Sequence, residues 1–388
     1  MNTLVLQPDW ARAALLPVEW PVDLPRVVIP FIGSLRQVDT TLLVIILATA
    51  AFTLLTLVTG MIALCVHGWK RYRKRVHRKE RAAWTTTLMD VLAGETAPNV
   101  LADPVRPRQR GRFLSFLSVY ATSVRGNELD RIRAVARPFL PAIRDKVHHR
   151  RPAVRAQAVR RLSLFGDGEY LPALREALDD PSETVAWMAM MGLAKRGTAD
   201  DANLVIRHLD RLSGIDRRQL TSALVELGED AAPALRRALA SPLISEEPQS
   251  PFTRLICAEA LRWLADAAAA PIAVSLLDQD TDDPELRAAL LRLLRRVGRT
   301  RHAPAVRAQC QSEVPFVRIH AARALGQLGT ADDEDLLASL LHNDEARWVA
   351  LSAIRSLSEL GQTSPIRQLA ASAHDRAALA EGFLPRSA

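Results

Sequence analysis

Leucine occupies one position of a recurring unit seven times, at Leu162, Leu193, Leu224, Leu261, Leu294, Leu325 and Leu357. A chain whose apolar residues return at a near-constant step folds as stacked copies of one small motif, not around a single core. The units open eight residues earlier, at Val154, Val185, Asp216, Thr253, Leu286, Val317 and Val349. Within one of them, Val317, Ala321, Leu325 and Leu328 recur at spacings of three and four, which predicts one apolar face of a helix. Twelve residues past the opening position stand Gly166, Gly197, Gly228, Ala265, Gly298, Gly329 and Gly361, at steps of 31, 31, 37, 33, 31 and 32 residues. Glycine just beyond a last turn predicts a left-handed cap that ends the helix. A second apolar segment follows, as in "DEDLLASLLHND", and a turn such as Asp180-Pro181 or Asp283-Pro284 starts the next unit. Neither helix can bury its stripe alone, so neighbouring pairs must stack.

The position after the opening residue holds Arg155, Arg217, Arg254, Arg287 and Arg318, with Ala186 and Ala350 in the other two units. With "AVRAQAVRRLSLFG" at 153–166 and "FVRIHAARALGQLG" at 316–329, this pattern resembles the HEAT repeat, in the bacterial form called the phycobilisome-lyase-like HEAT repeat. The resemblance runs over residues 153–375 and implies an all-α chain built as a right-handed α-solenoid of seven units. It also implies that these arginines pair with turn aspartates and hold adjacent units in register; a ladder binding anions is the alternative. Departures are Asp216 and Thr253 at the opening position and Ala265 at the glycine position. The stretch "SPLISEEPQSP" (241–251) is an acidic, proline-bearing insertion. Residues 113–152 are expected to form degenerate capping helices, and residues 376–388 a tail.

Upstream lies a different kind of segment. Residues 40–66 read "TTLLVIILATAAFTLLTLVTGMIALCV", 27 positions without a charge. As a helix this rises about 40 Å at roughly 1.5 Å per residue, against a hydrocarbon core of about 30 Å. A single transmembrane helix is expected there. The preceding residues 1–39 are too long and too poor in cations for a cleavable signal. Their five prolines within residues 8–30, with Trp10 and Trp20, preclude a long helix.

"HGWKRYRKRVHRKER" follows at once. Its eight cations are Lys70, Arg71, Arg73, Lys74, Arg75, Arg78, Lys79 and Arg81, against one acid, and Trp69 stands at its start. The positive-inside rule puts this end in the cytoplasm and the N-terminus outside, at the cell membrane. Residues 67–112 then form a basic juxtamembrane collar, facing anionic phospholipid, and a linker rich in Pro and Arg. The formal charge of +8 divides unevenly, with −1 over residues 1–66, +16 over 67–161 and −7 over 162–388. Nucleic-acid binding through the collar is the alternative use of those charges, but no nucleic acid is expected as the partner.

Chemistry-bearing patterns are missing. The chain has no His-Glu dipeptide of the kind that the HEAT-fold hydroxylases use for iron, and His148-His149 lacks a carboxylate three or four residues on. It contains no phosphate-binding glycine loop and no nucleophile elbow. Cys65, Cys257 and Cys310 make no metal or disulfide spacing and are expected to be small buried residues. No catalytic residue, cofactor or metal is expected. The expectation is a membrane-anchored scaffold whose partner is a protein, such as an envelope- or polysaccharide-synthesising enzyme or a signalling complex. The alternative is a membrane-tethered HEAT-fold lyase or hydroxylase.

Overall fold

The structure, a computed structural model, describes residues 40–196, 198–244, 249–279 and 282–383. The expectations for residues 1–39, the cap glycine Gly197 and the acidic centre of the 241–251 insertion fall outside the described residues. The chain divides into two compact units, residues 1–83 and residues 84–388.

Helix α1 (Thr40–Ala93) supplies the described residues of the first unit, through the apolar stretch and the cations, and its last turns belong to the second. From Leu43 to Tyr72 it is long and apolar enough to cross a membrane, and no part of that span is buried within the chain. Thr49, Thr53, Thr56 and Thr59 donate their hydroxyls to carbonyls one turn back, at 2.9, 2.6, 2.9 and 2.9 Å. Their polar groups are thus satisfied inside the helix, as an apolar solvent demands. Cys65 is exposed on this helix, unlike the expected buried residue, because none of the described residues packs over this span.

The second unit begins earlier than the boundary at Phe113. Leu88 and Val91, in the last turns of α1, are buried, and so are Leu101, Ala102 and Val105. The Trp84 ring meets Phe113 edge-on at 5.2 Å and Phe116 at 5.6 Å. Residues 84–105 are therefore part of a folded cap and not of a linker. Helices α2 (Pro98–Ala102), α3 (Arg110–Ala121), α4 (Asn127–Ala136) and α5 (Leu140–Arg144) complete it. Residues 84–105 carry two prolines, Pro98 and Pro104, and a few apolar residues at no regular spacing, so their burial is not marked by any repeat.

Seven helix pairs follow. The first helices are α6 (Pro152–Phe165), α8 (Glu183–Arg196), α10 (Arg217–Glu226), α13 (Pro251–Trp263), α15 (Pro284–Val297), α17 (Pro315–Leu328) and α19 (Arg347–Glu359). The second helices are α7 (Leu171–Ala177), α9 (Ala199–Arg207), α11 (Ala232–Leu239), α14 (Ala270–Asp278), α16 (Ala303–Gln309), α18 (Glu334–Asn343) and α20 (Ser364–Ala370). Helix α12 (Ser241–Ile244) lies in the insertion, and α21 (Ala377–Glu381) follows the last pair. The recurring leucines are all at most 1% exposed. Proline at the start of α6, α13, α15 and α17 costs nothing, since the first turn has no internal use for its N–H.

First helices of successive units pack directly on one another, through small residues. A Cβ on Gly192 would lie 2.1 Å from the Ser163 hydroxyl, and one on Gly326 2.8 Å from that of Ser356. Both hydroxyls cross the interface: Ser163 donates to the Met188 carbonyl at 3.3 Å and Ser356 to the Ala322 carbonyl at 2.7 Å. At the corresponding place in α6 stands Arg161, which donates to the Gly111 carbonyl of the cap at 2.9 Å.

The cap glycines divide into two kinds. Gly228 and Gly361 take the expected left-handed conformation, at φ 83° and 76°, and so does Ala265 at 54°. Gly166, Gly298 and Gly329 do not; their φ values are −68°, −67° and −72°. Glycine is needed there for space, because a Cβ would come within 2.5–2.6 Å of the carbonyl four residues back. The two departures at the opening position also have causes. Asp216 caps α10 by accepting from the Arg218 N–H at 2.9 Å, and buried Thr253 donates to Asp210 at 2.9 Å. The expected tail starts too early, since Arg376 donates to the Leu341 carbonyl at 2.9 Å and Ala380 is buried.

Leu224→Ala, in the middle of the stack, is expected to cost about 2–5 kcal/mol, and Leu357→Ala less, because a terminal unit frays. Chemical denaturation of the two variants checks this. Equal losses would contradict a one-dimensional stack. Ala265→Gly is expected to stabilise by up to about 1 kcal/mol, since a left-handed alanine is strained by about 1–2 kcal/mol and glycine gives part of that back as entropy. A lowered melting temperature for Ala265→Gly would refute it.

Candidate functional site

Counted from each unit's opening residue, the sixth and the ninth or tenth positions fall on one side of the first helix, away from the leucine. In α13, α15, α17 and α19 the sixth position holds Glu259, Arg292, Arg323 and Arg355. The ninth and tenth bring Arg262 and Trp263 in α13, Arg295 and Arg296 in α15, and Glu359 in α19. Stacking of the helices sets these residues side by side. Arg292 donates twice to one Glu259 oxygen, with contacts of 2.7 and 2.6 Å, and Arg262 donates to the other at 2.8 Å. Arg295 and Glu359 come within 3.7 Å. The Arg262 guanidinium lies 4.6 Å from the Trp263 ring centre, and Trp263 is 64% exposed.

Two open depressions run along this face. One, of about 990 Å³, extends from Arg217 and Arg218 to Trp263; the other, of about 270 Å³, lies over Arg295, Arg296 and Arg323. They share Arg262 and Arg292. His320, below Arg292, is pushed down to about 4 by burial and then by Arg292 and Arg323. It is neutral at ordinary pH, and its Nε2 lies 3.1 Å from an Arg292 nitrogen and can only accept from it. Arg323 is held below the usual guanidinium value by burial and then by its neighbours Arg355 and Arg295. Cations here exceed acids, although residues 162–388 as a whole carry −7.

The sequence-predicted arginines do something else. Arg155 grips Asp180 with two contacts of 2.6 and 2.8 Å, and Arg318 grips Asp344 at 2.6 and 2.9 Å. Each also bonds carbonyls before its own helix, such as His149 at 2.9 Å and Ser312 at 2.7 Å. Arg217 departs from the pattern by pairing with Glu285. Arg254 and Arg287 bury Nε atoms that have no hydrogen-bond partner among the described residues. Sequence reading missed a second ladder between second helices and the following turns. It consists of Arg175–Asp201 at 2.6 Å, Arg236–Asp266 at 2.7 Å and Arg307–Asp333 at 2.5 Å, and Arg137, after α4 of the cap, pairs likewise with Asp167 at 2.7 Å. An arginine near position twenty-one of one unit and an aspartate at thirteen to sixteen of the next was its available signal. Both ladders tie neighbouring elements together, and in the second Asp266 keeps one buried oxygen, Oδ2, without a hydrogen-bond partner among the described residues.

Of the collar, Trp69, Lys70, Arg71, Arg75, Arg78, Lys79 and Arg81 are exposed along α1; Arg73 and Lys74 belong to the same helix. Among the described residues no group of three or more His, Cys, Asp or Glu side chains is arranged to hold a metal ion. Cys257 and Cys310 are buried, which pushes both thiols up to about 12. At neutral pH such thiols are protonated and unreactive.

A family model described as HEAT repeats matches residues 139–225 and 279–358. The match covers less than half of the chain, and every regular element among the described residues is helical. Solved structures similar to it include the complex of CpcE and CpcF of phycocyanin lyase from Nostoc sp. PCC7120. That match has 19% identity and a TM-score of 0.30, over 63% of this chain and 92% of that one. Another is a mutant of Kap121p, at 17% identity and a TM-score of 0.40, over 78% of this chain. The chain spans 39% of Kap121p. No curated protein matches the sequence.

The staples predict an array that loses stability in acid. The Arg155 hydrogen bond holds Asp180 below its usual value. In Asp201, Asp333 and Asp344 burial acts upward and is outweighed by Arg175, Arg307 or Arg318 together with a backbone N–H. A depressed folded value means that the stabilisation is complete above the ordinary 3.8 and is lost as pH falls from there through the lower folded values. Melting temperatures measured from pH 7 downward should hold nearly level to about pH 5 and then fall. The fall should be shallower in Asp180→Asn/Asp344→Asn than in the parent protein; equal slopes would remove the staples from the explanation.

Proposed function

We propose that this protein is a single-pass membrane scaffold that presents its HEAT array to the cytoplasm and binds a protein partner there. The observation that carries the reading is the helix over Leu43–Tyr72, unburied within the chain and without an Asp, Glu, Lys or Arg before Lys70, where a run of eight cations begins. An unburied apolar span of that length is costly in water and favourable in a bilayer. The cations beyond it favour retention on the cytoplasmic side, where they also meet anionic phospholipid. Support for a protein partner comes from the array itself. Among the described residues its polar groups are spent on stapling units together, while one continuous outer face combines arginines with an exposed tryptophan, the residues that dominate protein interfaces.

Fusion of a reporter after Ala388 tests the orientation. A cytoplasmic reporter should be active there and an extracytoplasmic one silent. Neutralising Lys70, Arg71, Lys74, Arg75, Arg78, Lys79 and Arg81 together should produce mixed orientations. Digestion of the array by protease added outside intact cells would refute the proposed topology.

A further inference from the structure

Arg292, Arg323 and Arg355 occupy the same position of three successive first helices, so stacking holds like charges at the spacing of neighbouring helices, about 8–10 Å. Of this row only Arg292 has a carboxylate, Glu259, at hydrogen-bond distance. Arg323 and Arg355, and Arg296 beside them, have none among the described residues. Burial and the neighbouring guanidinium groups weigh on Arg323, and nothing described there compensates it in full. His320 adds no charge, because it is neutral and accepts from Arg292. At the other end of the row Trp263 is exposed beside the larger depression.

We infer that the groove running from Trp263 over Arg292 to Arg323, together with Arg355 in the next helix of the row, is the docking site for an extended acidic segment of the protein partner, with an apolar residue seated at Trp263. This rests on the scaffold reading above and names the chemistry that the scaffold selects. Three helix spacings make a run of about 25–30 Å, the length of roughly eight residues of extended chain. Carboxylates offer each guanidinium a two-pronged partner, and bringing an anion to a group already repelled by its neighbours relieves that repulsion. A nucleic acid fits less well. Glu259 and Glu359 stand within the same face, and a continuous phosphate backbone would pass over both. The acidic balance of residues 162–388 repels a long polyanion and tolerates a short acidic peptide.

The test uses the full chain in detergent or nanodiscs and a labelled synthetic peptide of about ten residues, rich in Asp and Glu with one Leu near its end. Controls are a peptide with Lys and Arg in place of the acids and a single-stranded oligonucleotide of similar length. The acidic peptide should bind and weaken steeply as salt rises from about 50 to 300 mM, since exposed charges are screened over a Debye length. Arg296→Glu/Arg355→Glu, both at exposed positions, should lower its affinity at least about tenfold with an unchanged melting temperature. Trp263→Ala should lower affinity but leave the salt dependence intact. Tighter binding of the oligonucleotide, or equal binding of the acidic and basic peptides, would overturn the inference. So would loss of neither affinity nor salt dependence in the double variant. The scaffold reading is judged separately, by whether crosslinking in membranes joins the wild-type array to a protein at all. If it does, and the double variant captures that protein equally well, the scaffold stands and the acidic docking site falls.

Discussion

The close approach of successive first helices is the constraint on which the rest of this array depends. Gly192 lies against Ser163 and Gly326 against Ser356 at distances that leave no space for a Cβ. The leucines and valines supply the hydrophobic gain, but they would do so at several separations. Small residues, and hydroxyls that bond a neighbouring carbonyl, set the separation at which the gain is collected. Once that distance is set, every outward position is repeated at the same step. Row chemistry follows from it: whatever side chain recurs at one position is lined up along the stack, whether or not the charges agree.

The arginine–aspartate pairs fix rotation and register where apolar packing alone is tolerant. Arg155 and Arg318 tie the start of a first helix to the turn that opens the next unit. Arg175 and Arg307 reach from a second helix to Asp201 and Asp333, aspartates that also accept the N–H of Thr198 and Thr330. A single carboxylate so serves a helix start and an inter-unit contact at once. In Arg155–Asp180 and Arg318–Asp344 both partners are held by backbone groups as well, which favours their bidentate geometry. Arg217 shows what happens when the turn changes. Its unit ends with the insertion, and the guanidinium goes instead to Glu285, two units on.

Legibility in the sequence tracked periodicity. The leucine row and the helix pairs were readable because burial forces the same residue type to recur. The arginine position was visible because its members share one place in the unit, but only Arg155 and Arg318 pair there with a turn aspartate, while Arg217 goes to Glu285. The conformation of the caps was not readable: Gly228 and Gly329 look alike as letters, yet one needs a left-handed backbone and the other only space beside a carbonyl. Ala265 adopts the left-handed form although the glycine is missing. The cap's early start was concealed because Leu88, Val91 and Leu101 stand at irregular spacing with no repeat to expose them. The outer row failed differently. Arg292, Arg323 and Arg355 are regular, but an arginine on the far side of a helix from its leucine reads as an ordinary solvated face. Only the stack reveals that they neighbour one another.

Net charge is a poor guide to such a molecule, and the reason is geometric. A sum of −7 over residues 162–388 describes the field far from the array, where individual charges blur. At contact distance the field is set by what the stacking puts within one screening length, about 8–10 Å at ordinary salt, which is also the spacing of neighbouring helices. In that range the aspartates of the staples count for little, because each is already neutralised by its own arginine. Glu259 neutralises part of the outer row but has two arginines to serve, Arg262 and Arg292. The same chain is therefore acidic in bulk and cationic along one face. An array with that division repels polyanions at a distance and still receives a short acidic segment once it arrives, which is a form of selectivity that composition alone does not express.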